Sequence, residues 1–346
     1  MAVTIMDVAR TSGVSKATVS RAFIHPEIVD PDTLSRIRRN AERLGYRPNA
    51  IARAMITKRT GNIAFIIYGR QAPVITNPFY GPILETVVAE AQKCGYSVFI
   101  VSDEELRLST SDTLLQKQVD GVIFASQPDN EMVELFQKSG TPIVLVNHRS
   151  EKRNLPAVIS DDYAGVRLAM EHLIESGHER IALLSGNFTE FIRLRREEAY
   201  RDALLAAHLP YDPRYIGCVE PHVADAEAGM LKVFERTSDA RPTAVMAMND
   251  TIAAGAIKAA HARGLSVPKD FAVIGYDDSS ICELTEPTLS SVDGGKTAMG
   301  AEAVRLLTGL MRGEAIGENV VVLDAKLVLR RSTENDQSSE LAGVTR

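Results

Sequence analysis

Residues 8–21 read Val8-Ala9-Arg10-Thr11-Ser12-Gly13-Val14-Ser15-Lys16-Ala17-Thr18-Val19-Ser20-Arg21, and the organisation of the whole chain follows from that stretch. Two short helices meeting at a tight turn satisfy its chemistry. Val8 and Ala9 put small apolar groups on a first helix, Gly13 takes a positive φ freely, and Val14 and Val19 return apolar surface to the same junction. Ser15 is placed to cap the second helix, its hydroxyl accepting from the backbone N–H of Ala17 or Thr18. Lys16 and Ala17 then fall in the first turn, and Arg21 lies one turn beyond Ala17 on the same side. An exposed face of Lys16, Ala17, Ser20 and Arg21 suits a DNA major groove, where Lys and Arg reach guanine edges and an alanine methyl touches thymine. The plainer alternative is a surface helical hairpin that happens to contain glycine. The spacing from Ala9 to Gly13 to Val19 favours the close crossing of a helix-turn-helix instead.

Charge supports that reading. The chain carries a formal net charge of −6, which excludes a general nucleic-acid coat, yet residues 1–60 hold 11 Lys and Arg against 5 Asp and Glu. The remainder holds 28 against 40, so a basic head sits on an acidic body. With 346 residues and 45% hydrophobic content, more than one core can be buried. Cys94, Cys218 and Cys282 are far apart and lack metal-ligand spacing, which suits a reducing cytoplasm. No apolar run approaches a membrane span and no export signal is visible, so a cytoplasmic protein without membrane contact is expected.

Downstream, Asp30-Pro31-Asp32-Thr33 has the composition of a helix start, and Leu34, Ile37, Ala41 and Leu44 form one apolar stripe that Gly45 ends. Arg36, Arg38, Arg39 and Arg43 face elsewhere, solvated or towards phosphate. The segment Pro48-Asn49-Ala50-Ile51-Ala52-Arg53-Ala54-Met55-Ile56 is too short to be helical alone. It reads either as a plain linker or as a hinge that becomes helical against its symmetry mate on DNA, with Met55 as an apolar minor-groove wedge.

From Gly61 the grammar changes to strands alternating with amphipathic helices. Runs at 63–67, 98–101, 121–124 and 142–146 form one set, with a helix over 83–93. A second set has strands at 180–184, 244–247 and 271–274, helices over 199–207 and 252–263, and Arg196 opening the first of these helices. Such alternation predicts parallel sheets covered on both faces, in two lobes. Lobe one takes mainly 62–160 with about 290–320, and lobe two mainly 161–288 with about 320–331.

Ligands of such sheets sit beyond the carboxyl ends of the strands. That rule selects Phe79, Tyr80, Ser126, Asn147, His148, Arg196, Asn249 and Asp277 as the candidate effector site. Asn, Asp and Arg can hold ring hydroxyls while Phe79 or Tyr80 stacks on an apolar sugar face. Each has a duller role available: Asn249 or, more readily, Asp250 as a helix cap, Phe79 in the core, His148 in a satisfied loop. No catalytic constellation competes. No phosphate loop, zinc spacing or activated nucleophile is present, and the adjacent pairs Asp161-Asp162 and Asp277-Asp278 should point apart. Neither cofactor nor metal is expected.

With head, hinge and lobes in place, the chain resembles the LacI/GalR family of transcriptional regulators over nearly its whole length. The resemblance rests on Asp7-Val8-Ala9, Gly13 to Arg21, Leu44-Gly45-Tyr46-Arg47-Pro48-Asn49-Ala50-Ile51-Ala52-Arg53, Asn77-Pro78-Phe79, Val119-Asp120-Gly121-Val122-Ile123, Gly177-His178-Glu179-Arg180-Ile181-Ala182, and Val273-Ile274-Gly275-Tyr276-Asp277-Asp278. It implies an α/β fold: a helix-turn-helix head of three helices (1–47), a hinge and linker (48–60), a two-lobed periplasmic-binding-protein-like body for effector binding and dimerisation (61–333), and a polar tail (334–346). It further implies a regulator, expected to be a repressor, that binds a palindromic double-stranded operator as a homodimer and is controlled by a sugar or sugar derivative. The implied DNA contacts are Thr4, Ser15, Lys16, Ala17, Thr18, Ser20 and Arg21, with Asn49, Ala52 and Met55 in the hinge. Among these, Lys16, Ala17 and Arg21 match base-reading positions. Departures are also visible: Met55 stands where the family usually has leucine, Ala199 where it usually has glycine, and His148 where arginine is frequent. The tail after Thr333 has no leucine heptads, so no tetramer-forming coiled coil is indicated. The rival readings are a solute-binding protein without a DNA role, disfavoured by the basic head, and a sugar-modifying enzyme using the same cleft.

Overall fold

The structure is a computed structural model and describes residues 3–47, 54, 59–67, 75–102, 119–125, 127–128, 130–150, 153–186 and 190–334. The head is built from α1 (Ile5–Ser12), α2 (Lys16–Ile24) and α3 (Pro31–Leu44). Gly13 ends α1 with φ 63°, a left-handed conformation that a Cβ would strain, and this makes the sharp turn into α2. Ser15 caps α2 by accepting from the Thr18 N–H at 3.1 Å, and Asp30 caps α3 by accepting from Thr33 N–H at 2.9 Å. Val8, Ala9, Val19, Ala22, Ile37 and Ala41 form the buried core, one stripe from each helix.

The arginines of α3 are not uniformly free. Arg36 donates through Nε to the Ser12 carbonyl at 3.1 Å, and Asn40 donates to the Thr11 carbonyl and Ser12 Oγ at 3.3 and 3.0 Å. These bonds satisfy carbonyls left open at the end of α1, so Arg36, although exposed, ties α3 to α1. Further along, the carboxylate of Asp120 accepts from Thr60 N–H (2.7 Å), Thr60 Oγ1 (3.0 Å) and Gly61 N–H (2.8 Å), anchoring the start of the first strand.

The body contains two six-stranded sheets. The first uses β1 (Asn62–Ile67), β2 (Ser97–Ser102), β3 (Gly121–Ala125), β4 (Ile143–Val146), β5 (Ala157–Ser160) and β11 (Val320–Leu323), in the order β11-β5-β4-β3-β1-β2. The second uses β6 (Ile181–Gly186), β7 (Ile216–Val219), β8 (Ala244–Ala247), β9 (Ala272–Tyr276), β10 (Ser290–Asp293) and β12 (Lys326–Val328), in the order β12-β10-β9-β8-β6-β7. Parallel pairing joins β3, β4, β5 and β11 in one sheet and β7, β6, β8, β9 and β10 in the other, while β12 runs antiparallel to β10.

Alternation along β6 shows why its first four residues, 181–184, are all apolar. Ala182 and Leu184 join a core with α8 (Val223–Arg236) and α9 (Asp250–Ala262), whereas Ile181 and Leu183 join another with α6 (Asp162–Glu175) and α7 (Glu190–Ala206). On the first sheet, α4 (Tyr80–Lys93) packs closely against α11 (Lys296–Arg312), where a Cβ on Gly300 would stand 2.8 Å from the Ile83 carbonyl.

Two boundaries differ from the sequence reading. The strand at 290–293 pairs in the second sheet, and the strand at 320–323 pairs in the first, so the chain returns to lobe one after Asp293 and leaves it after Leu323. Short strands carry little periodicity, and only their ladder partners assign them to a sheet. The helix expected to begin near Ala199 begins at Glu190, which puts Arg196 in its second turn rather than at its opening. Charged residues in Glu190–Glu198 hid that start because the apolar stripe there is thin.

Candidate functional site

In the head, the face expected to meet DNA is presented by α2. Lys16, Ala17 and Arg21 are exposed, Ser20 is half-buried, and neither Lys16 nor Arg21 is ion-paired with a described residue. The hydroxyls nearby are partly spent on local structure. Ser15 Oγ lies 2.9 Å from Thr18 Oγ1, and Thr4 donates its N–H and Oγ1–H to Asp7 at 3.0 and 2.7 Å at the start of α1. Asn49, Ala52 and Met55 lie outside the described residues.

In the body, the centre of the candidate site is Arg196, only 4% exposed. Its guanidinium donates to Asp162 at 2.9 Å through Nε and pairs with the same carboxylate at 2.7 Å through Nη2. Nη1 donates to the Met248 carbonyl, and the guanidinium carbon lies 3.5 Å from the Tyr276 ring centroid. Burial works against the charge of Arg196, but Asp162, Tyr276 and Asp277 outweigh it and hold the group above its ordinary pKa.

Asp277 completes the cluster at 4.0 Å from Arg196. That separation is the outer limit of an ion pair, and it does not repay the loss of water. Burial therefore dominates and pushes Asp277 up to about 8, so the carboxyl holds its proton at neutral pH. Asp277 and Asp278 have φ 99° and 45°, and they do point apart: Asp278 accepts from Arg330 at 2.7 Å. Asp161 and Asp162 are likewise divided, Asp161 capping α6 through the Ala164 N–H.

From the first sheet, Asn147 (φ 58°, buried) donates through Nδ2 to the Tyr80 hydroxyl at 3.2 Å, and Tyr80 meets the Phe79 ring edge-on at 4.9 Å. His148 packs edge-on against Phe191, with ring centroids 6.3 Å apart, and Arg149 stacks over the same ring at 5.1 Å. Asn249 accepts from Ile252 N–H at 2.8 Å, so it makes the cap that was expected at Asp250. Asp250 instead accepts from Ser279 N–H (2.7 Å) and Ser291 Oγ (2.5 Å), bracing the turn that carries Asp277. Ser126 lies outside the described residues.

Sequence reasoning missed Asp162, Tyr276, the Met248 carbonyl and Phe191 as members of this cluster. Only one signal was available: Asp162 is a second acid beside a helix cap, so one of the two had to face something else. Nothing in the order of residues reveals a carbonyl or a ring 50 to 80 positions away.

Two family descriptions match the chain: bacterial regulatory proteins of the lacI family over residues 4–49, and a periplasmic binding protein-like domain over residues 170–333. Catabolite control protein A of Priestia megaterium is 36% identical over 341 residues, covering 96% of this chain and 100% of that protein. This chain belongs to the lacI family of bacterial regulatory proteins. A solved CelR–cellobiose complex is similar at 31% identity and TM-score 0.72, covering 95% of this chain and 99% of that one. The lac repressor dimer bound to operator and an anti-inducer shares the fold, with TM-score 0.82 at 24% identity over 96% and 99% of the two chains. As a lacI-family member the chain is a DNA-binding transcriptional regulator, and the three helices of the head fall within the residues that match the lacI description. No described helix is long and apolar enough to cross a membrane.

Proposed function

We propose that this lacI-family chain is a cytoplasmic repressor that holds a palindromic operator as a homodimer and is controlled by a sugar or sugar derivative. In this reading residues 1–47 read bases, 48–60 form the hinge and 61–333 bind effector and dimerise. Lys16, Ala17 and Arg21 contact base edges, with Thr4, Ser15, Thr18, Ser20, Asn49, Ala52 and Met55 supporting or entering the grooves. The effector is held by Arg196, Asp277, Asn147 and Asn249, with Phe79, Tyr80, Ser126 and His148 around it.

The observation that carries this reading is a buried arginine braced by Asp162 at 2.7 Å and faced by the Asp277 carboxyl at 4.0 Å. Such a pair offers fixed donors and an adaptable donor–acceptor to a ring carrying vicinal hydroxyls. The cellobiose in the CelR complex supports the same ligand class. No reaction is assigned to the cleft: Asp162, Asp278 and Asp161 are committed to Arg196, Arg330 and a helix cap.

Effector acts by changing how the two lobes close, and so the spacing of the two hinge segments in the dimer. Coupling of about 1–3 kcal/mol suffices for a switch, and it acts in both directions. The test is an operator titration with and without sugars, sugar acids and sugar phosphates. Operator affinity should collapse on removal of residues 1–56 and shift with one ligand class. Affinity indifferent to that removal would overturn the assignment.

A further inference from the structure

The two lobes are joined where the chain crosses between sheets, and one crossing is Gly294-Gly295, between β10 of the second sheet and α11, which packs on the first. Two successive glycines leave such a connection loose. Here it is braced by the first residue of α11. The Lys296 ammonium donates to the backbone carbonyls of both Asp277 and Asp278, the latter at 3.1 Å, and lies 3.7 Å from the Asp293 carboxylate. Its side chain is only 11% exposed.

The turn it grips is itself well defined. Asp277 N–H donates to the Val292 carbonyl at 2.8 Å, Asp278 N–H to Ser291 Oγ at 3.0 Å, and the positive φ angles of both residues bring two successive carbonyls to one ammonium. A Lys on a helix of lobe one thus holds the backbone of the residue whose side chain faces Arg196 in lobe two.

We propose that Lys296 is a positioning residue, a strut that sets the geometry between the lobes from the Asp277 turn. This rests on the reading of Asp277 as an effector contact only for its regulatory meaning: a ligand that moves Asp277 moves the carbonyl that Lys296 holds, and with it α11. The strut itself is present without ligand and is tested without one.

Cys94 in lobe one and Cys218 in lobe two are exposed, while Cys282 is buried. Spin labels on these two native thiols of the full chain, diluted with unlabelled chain, report the distance between lobes by pulsed electron resonance. Lys296→Met and Lys296→Gln are expected to broaden the distance distribution and add a longer component, and Lys296→Arg to restore the wild-type profile. Asp277→Asn should keep the wild-type profile, because the strut uses a backbone carbonyl, while losing the thermal shift produced by a sugar panel. Distributions of Lys296→Met or Lys296→Gln that coincide with wild type overturn the strut. Loss of the sugar response in no variant overturns only the effector role of Asp277.

Discussion

Removing the Asp162 carboxylate should destabilise the body through a group it never loses from view, the guanidinium of Arg196. Both side chains are buried, 4% and 5% exposed, and 2.7 Å apart. Breaking a buried pair by deleting one partner typically costs about 3–5 kcal/mol, because the remaining charge is left without water or counterion. Three features place Asp162→Ala near the lower end: the Met248 carbonyl still accepts from Arg196, the Tyr276 ring still faces it, and Asp277 at 4.0 Å can ionise to replace the lost charge. A loss of about 3 kcal/mol corresponds to a fall in Tm on the order of 6–12 °C for a domain of this size. Differential scanning calorimetry of the full chain at pH 7 reads it. The double variant Asp162→Ala/Arg196→Met should recover more than about 1 kcal/mol, since no buried cation then remains and Asp277 keeps its proton. A Tm change under about 2 °C for Asp162→Ala, or a double variant no more stable than the single, would refute a desolvated pair at this site.

The carboxyl of Asp277 sets a pH dependence of definite sign. Its folded pKa is raised to about 8 from 3.8, so the stabilising proton is fully present below pH 3.8 and is lost as pH rises through 8. Urea unfolding should show wild type losing stability relative to Asp277→Asn from about pH 4 to about pH 8 and levelling off above that, and a difference that stays flat or rises across this window would contradict the burial argument. Gly275→Ala would put a Cβ 2.3 Å from Asp250 Oδ1, and the strain should cost about 1–3 kcal/mol by thermal melting while weakening sugar binding through the braced turn. In the head, Arg21→Ala should cost about 1–3 kcal/mol of operator affinity and relax preference at one base pair, whereas uniform loss across sequences would place Arg21 on phosphate. Ser15→Ala removes the acceptor of the Thr18 N–H and should destabilise the head by about 1 kcal/mol, read by the helical circular dichroism melt of the full chain.

Several elements were legible because their signals are local. Gly13 and Gly45 adopt the left-handed conformation that glycine permits, Ser15 and Asp30 cap as their positions suggest, and the strands at 63–67 and 181–184 are apolar on both faces because helices cover both. The Asp161-Asp162 and Asp277-Asp278 pairs divide their roles as neighbours in a chain must. Other elements gave no such signal. Arg36 is as charged as Arg38, and only its place beside the end of α1 makes it structural.

What the order of residues determined by itself is a DNA-reading hairpin, a third helix, and two lobes of alternating strands and helices, because turns, caps and burial patterns are written within a few positions of one another. Tertiary structure alone decided which sheet takes the short strands 290–293 and 320–323, since a strand of four residues is assigned by its ladder partner. It also decided which acid meets Arg196, and that Lys296 ties a lobe-one helix to the Asp277 turn. These depend on contacts between residues far apart in the chain, and their energies come from desolvation and distance, which exist only once the chain is folded.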